Sequence, residues 1–189
     1  MIEKFLKAKH WQIFMITFGL PFLIQIITMP ITISDNDPII MMKIFPIIMI
    51  IFISGFFGWF WSIGVGLQSK IPSDVTMKVK KFKIFLIIPL IYMFLILIFM
   101  GSIISGTFEN GQEPSEGMIV GMIGIIFPLH FFSMFCIFYC LYFVAKTFKT
   151  VELQREVAFS DFAGEFFMIW FFPIGIWIIQ PKVNKMIEI

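Results

Sequence analysis

The chain has 189 residues, 59% of them apolar and only 14% charged, with a net charge of +2. A water-soluble domain carries about 45–50% apolar and about 25% charged residues, and one of this size exposes too much surface to hide so much Phe, Ile and Met. The composition excludes an ordinary soluble fold. The basic residues gather in short clusters beside apolar runs, which points to phospholipid head groups as the partner and not to nucleic acid. Lys far outnumbers Arg, of which Arg155 is the sole example, and Ile and Phe outnumber Ala, a bias that fits an AT-rich bacterial genome.

A hydrocarbon core about 30 Å thick needs about 20 helical residues to cross it. Residues 11–33 form the first run of that length. Lys4, Lys7 and Lys9 precede it as in a signal peptide, but it is too long for one and lacks a small-x-small cleavage site, so it reads as a retained span. Gly19, Pro21 and Pro30 predict a kink or a loosened last turn. The turn signal Ser34-Asp35-Asn36-Asp37-Pro38 follows. The second run, 39–67, is longer than a span needs. It either tilts or lays its first turn, near Lys43, in the interface, with Pro46 marking where the spanning part begins.

A polar stretch, 68–83, carries Lys70, Lys78, Lys80, Lys81 and Lys83. The third run is 84–104, and the loop after it, 105–117, holds Glu109, Glu113 and Glu116 with no Lys or Arg. The fourth run is 118–144. The stretch 146–161 reads as a solvated helix, with Ser160 and Asp161 as candidate caps for the next element. On that helix Glu152 shares a face with both Arg155 and Glu156, so attraction and repulsion roughly offset.

The last apolar stretch, 162–180, is interrupted early by Glu165. Its clean part, 166–179, reaches only ~21 Å as a helix. Pro173 and Gly175 lie in its middle and Pro181 closes it. It is a fifth helix, a re-entrant segment or a helix lying in the interface. Trp170 and Trp177, seven apart, share a helix face, and Trp favours the interface, which suits a shallow segment.

Charge sets the orientation, because cytoplasmic span ends collect Lys and Arg. An inside N-terminus places Lys4, Lys7, Lys9, the five lysines of 68–83, Lys146, Lys149 and Arg155 in the cytoplasm, with Lys43 alone outside. Lys182 and Lys185 obey the same bias only if the last stretch does not cross. The expected fold is therefore an all-α integral membrane protein. Residues 1–189 form one domain of four transmembrane helices plus a short C-terminal membrane segment. Its N-terminus is cytoplasmic and its location is the inner membrane of a bacterium.

Run two holds the clearest packing signal. Ser54, Gly58, Ser62 and Gly66 recur every fourth residue and stack in one stripe, and small residues let helices approach closely in lipid. Gly117, Gly121 and Gly124 open run four; Ser102 and Gly106 close run three. The stripe reads first as a tight bundle around run two, with a contact with another copy or a pore-lining face as the functional alternative, and spacing alone does not separate an intramolecular partner from another copy. His130 lies ~18 Å inside run four, near the midplane, where ionisable groups are costly and often functional. It also sits there quietly if a hydroxyl, or a carbonyl freed by Pro128, satisfies it. A proton relay needs a second titratable group at that depth, and Gln25 in run one is polar but does not titrate. Gln25 reads as interhelical glue. Glu165, with Asp161, either follows the helix dipole or is a buried carboxylate able to hold a cation or proton.

Cys136 and Cys140 share a helix face and read as packing residues. His10 and His130 lie at unmatched depths for a haem. Ser133 and His130 are same-helix neighbours, which rarely give the geometry of nucleophile and base. No phosphate loop, HExxH, CxxC pair or GxSxG occurs, and no cofactor or metal is expected.

Within 150–185, the core Trp170-Phe171-Phe172-Pro173-Ile174-Gly175-Ile176-Trp177 resembles the tail of small uncharacterised bacterial multi-pass membrane proteins. The resemblance covers about a fifth of the chain and implies no activity, cofactor or site residue. The expected function is a non-enzymatic membrane subunit that associates with itself or with a membrane complex. The alternatives are a small transporter or channel, with a path near His130 and the Pro173–Gly175 break, and a membrane enzyme acting on lipid through Asp161 and Glu165.

Overall fold

The structure, a computed structural model, describes residues 2–34, 38–104, 106 and 115–188. The expected turn at Asp35, Asn36 and Asp37 and the acidic loop residues Glu109 and Glu113 lie outside them. The described residues are helical wherever they are regular. Four stretches, His10–Ser34, Lys43–Lys70, Val79–Ile103 and Ile119–Leu153, are long and apolar enough to cross a membrane.

Two short helices, α1 (Ile2–Lys7) and α2 (His10–Phe14), open the chain, and α2 runs through a π-helical turn, Met15–Gly19, into α3 (Leu20–Ser34). Pro21 gives that turn a cause. It has no N–H for the Thr17 carbonyl, and its ring would collide with that carbonyl in a regular helix. A wider turn just upstream relieves the clash. Pro30 stays inside α3.

The central helix is α4 (Pro38–Gly66), which packs on α1, α3, α5 and α6; a 3₁₀ turn, Gln68–Lys70, follows it. Then come α5 (Val79–Ile104) and α6 (Glu116–Leu153). The buried side chains gather at one end of these helices: Leu6 and Ile13, Trp59, Phe60 and Ile63 of α4, Phe82 and Leu86 of α5, and Phe143, Val144 and Phe148 of α6. That is the end carrying the lysine clusters. The opposite halves leave Ile98, Val120, Ile123 and Ile125 exposed.

Helix α6 has 38 residues, about 57 Å of helix against a hydrocarbon core of about 30 Å. It runs past the expected end at Val144 because its last turns are amphipathic. Thr147, Phe148, Thr150 and Val151 are buried while Lys146, Lys149 and Glu152 are only half-buried, so an uninterrupted apolar run stops too early. The helix expected over 146–161 is in fact split. Gln154 adopts a left-handed φ of 50°, and its Nε2 donates to the carbonyls of Val151 (2.8 Å) and Lys70 (3.2 Å), which caps the end of α6.

Helices α7 (Phe159–Trp170) and α8 (Phe172–Glu188) make up the C-terminal segment. The break falls at Phe171 (φ −80°, ψ 58°), not at Pro173–Gly175. Pro173 sits in the first turn of α8, where a missing N–H costs nothing. Gly175 faces the Met168 carbonyl so closely that a Cβ would collide with it. Trp170 and Trp177 consequently belong to different helices. Trp170 meets Phe138 of α6 at 5.0 Å, and Trp177 meets His10 at 4.6 Å and Phe14 at 5.6 Å.

Along its length α8 descends from Phe172, which touches Phe18, Phe56 and Trp59, to Asn184, which bonds the carbonyls of Leu6 and Ala8. It therefore runs antiparallel to the opening of the first span.

Candidate functional site

The last carbonyls of a helix lack partners within it, and α1 ends in the interior. Two amides from α8 satisfy it. Gln180, fully buried, donates through Nε2 to the carbonyls of Phe5 (3.0 Å), Leu6 (3.1 Å) and Ala8 (2.9 Å). Its Oε1 accepts from Trp59 Nε1 at 2.7 Å. Asn184, one turn on, donates to Leu6 O at 2.7 Å and Ala8 O at 3.1 Å. This cluster ties α1, α4 and α8 together.

Beside it lies a chain of four charges. Lys149 donates to Glu152 at 2.7 Å and to Glu165 at 2.8 Å, and Lys182 donates to the other oxygen of Glu152 at 3.0 Å. Two ammoniums and two carboxylates cancel, and they link α6, α7 and α8. Glu165 is only 9% exposed, and its carboxylate is held by Lys149.

Asp161 caps α7 from within its first turn, accepting the Ala158 N–H at 2.9 Å, while both Arg155 Nη atoms reach its carboxylate at 3.2 Å. The Arg155 bonds first, and the Ala158 amide second, hold the Asp161 carboxyl below its ordinary pKa. Ser160 lies inside α7 and does not cap it.

The intramembrane candidates stand apart. His130 is exposed, with Nδ1 3.1 Å from the Tyr92 hydroxyl of α5 and the two rings 5.8 Å apart edge to face. Gln25 is exposed on α3. No described bond or ring contact joins His130, Gln25 and Glu165. The two cysteines are buried and unbridged. Among the described residues no three His, Cys, Asp or Glu side chains converge as metal ligands would.

Two of the four small residues on α4, Gly58 and Gly66, face α1. A methyl on Gly58 would come within 2.7 Å of the Phe5 ring, and one on Gly66 within 2.6 Å of Leu6. Ser62 is buried and donates to the Gly58 carbonyl at 2.7 Å. Ser54 is exposed. Gly55, outside that stripe, lies directly against Thr17 of the π-helical turn. On α6 the picture reverses: Gly117, Gly121 and Gly124 are exposed, with nothing among the described residues within 4 Å of a would-be Cβ. Gly121 and Ser102 also line an apolar groove of about 490 Å³ between α5 and α6, walled by Leu95, Ile98, Met122 and Ile125. Gly106 is half-buried.

Tyr92, Trp59, Gln180 and Asn184 are polar participants that long apolar runs do not reveal, and the ties of Lys149, Glu152 and Lys182 across helices are not legible from their charges alone. The four-residue spacing of Gln180 and Asn184 is a signal the sequence holds, since it puts two amides on one helix face. No family model, curated protein or solved structure matches the chain.

Proposed function

We propose that the chain is a non-catalytic subunit of a bacterial inner-membrane assembly that associates through the outer half of α6. The observation that carries this is the open Gly117/Gly121 pair. A Gly-x-x-x-Gly spacing is a helix-association motif in lipid, and among the described residues no side chain fills it here. An apolar groove of about 490 Å³ lies alongside it. Lipid tails are as apolar as the groove walls, so association there relies on close packing between small residues.

The proposed orientation follows the lysine clusters, with the N-terminus and the buried polar end in the cytoplasm. α7 and α8 are read as a re-entrant pair, because α7 starts from the end of α6 and α8 finishes beside α1, on that same side. Lys182 and Lys185 then obey the charge bias. Asp161 and Glu165 are engaged by Arg155 and Lys149, which favours a non-catalytic reading over a lipid-active enzyme.

Gly117→Leu and Gly121→Leu are expected to reduce a mild-detergent oligomer, or energy transfer between labelled copies in liposomes, to the monomer level with the fold intact. A wild-type chain that is monomeric in liposomes overturns the proposal.

A transporter or channel is the second reading, favoured by the His130–Tyr92 pair at mid-depth. It gains force only if assembly encloses that pair, which faces outward from a single chain. It expects His130→Ala to abolish liposome flux while assembly persists.

A further inference from the structure

We infer that the cleft between the end of α6, the α4–α5 connection and α8 is a binding site for a phosphate-type anion. The cleft measures about 520 Å³ and is lined by Lys70, Gln154, Lys182, Lys185 and Glu152, with Val151 and Met186 as its apolar wall. Its charge is unbalanced. Glu152 is already shared by Lys149 and Lys182, and Lys149 also serves Glu165, so those four groups cancel. Lys70 and Lys185 have no carboxylate partner among the described residues, leaving two positive charges facing one concavity.

The frame is fixed. Gln154 bonds the Lys70 carbonyl and so ties the α4–α5 connection to α6, and the Lys182–Glu152 pair ties α8 to α6. The competing negative end of α6 is blunted, because Gln154 also donates to the Val151 carbonyl. The Lys70 and Lys185 ammoniums carried on this frame are point-charge donors suited to phosphate oxygens. The same chemistry is offered by a phospholipid head group reaching over the rim and by a soluble phosphate.

The test uses the full chain in nanodiscs. In phosphatidylcholine discs, inorganic phosphate is titrated and followed by calorimetry. In discs containing a minor fraction of phosphatidylglycerol, the anionic lipid retained by the protein is counted by native mass spectrometry. Lys70→Gln and Lys185→Gln are each expected to weaken the interaction about fivefold, the scale of one lysine near an anionic surface, and added salt is expected to weaken it further. Lys80→Gln, exposed outside the cleft, controls for the general basic collar. Saturable phosphate binding lost in the cleft variants identifies a soluble anion; selective retention of phosphatidylglycerol lost in the same variants identifies a head group. Binding in neither arm, or equal loss with Lys80→Gln, overturns the inference. The outcome is independent of self-association, which the α6 glycine variants report separately.

Discussion

Gln180 carries more of the interior than any residue of the apolar runs. One side chain satisfies a tryptophan N–H and shares three carbonyls at the end of α1. Replacing it with Leu leaves the Trp59 N–H and the Phe5 carbonyl buried without that partner, while Asn184 still serves Leu6 and Ala8. Unfolding in mixed micelles is expected to show a loss of about 1–3 kcal/mol, the cost of stranded buried polar groups. Asp161 makes a different prediction. Its pKa is lowered in the fold by Arg155 and by the Ala158 amide, so its contribution is complete above the unfolded value of about 3.9 and is lost as pH falls through the depressed one. The melting difference between wild type and Asp161→Asn should stay constant from neutral to mildly acidic pH and shrink only below that range. At this scale the sequence announced that His130 needs a partner, but not that Tyr92 supplies it. Such pairs form across helices, and their register is set by packing that periodicity does not encode. Gln180 escaped notice because it sits at the end of an apolar stretch, where polar residues are ordinary.

The elements were legible in proportion to how apolar they are. Four spans stand out because lipid demands long uninterrupted runs. The same criterion cuts α6 short at Lys146, since a helix with one buried face and one charged face does not register as a run. The break inside the C-terminal segment falls away from its apparent place for a related reason. Pro173 and Gly175 look like the interruption, yet the proline occupies a tolerated first turn and the glycine marks where two backbones meet. Gly175→Ala is expected to destabilise the α7–α8 pair by about 1–3 kcal/mol through overpacking, read as faster proteolysis at the Phe171 turn. Lys149 joins α6 to α7 through Glu165, and Glu152 joins α6 to α8 through Lys182. Lys149→Leu strands the buried Glu165 carboxylate, and a loss of about 1.5–3 kcal/mol is expected. Glu165→Gln should cost less, because Lys149 keeps Glu152.

The whole molecule is built unevenly. Its buried aromatic core and its polar ties lie at the lysine-rich end, and its other end is a set of loosely packed apolar helices. Cys substitutions at Lys80 and Glu116 are expected to label from the cytoplasm and from the exterior respectively; the reverse pattern would invert the proposed topology. The charge bias was readable from the residues alone. What escaped was which small residues meet which neighbour. The α4 stripe looked the stronger association signal, but α1 covers it at Gly58 and Gly66, while among the described residues nothing covers the α6 glycines. Spacing reveals that a helix has a close-approach face without revealing what covers that face.

The amides of α8 and the carbonyls they hold lie 172–178 residues apart in the chain. A ribosome delivers Phe5, Leu6 and Ala8 well before Gln180 and Asn184. Throughout the interval α1 must wait with its end exposed, so maturation of this region is gated by the arrival of α8. Nascent chains arrested before Gln180 should be correctly inserted yet remain substrates for membrane quality-control proteases.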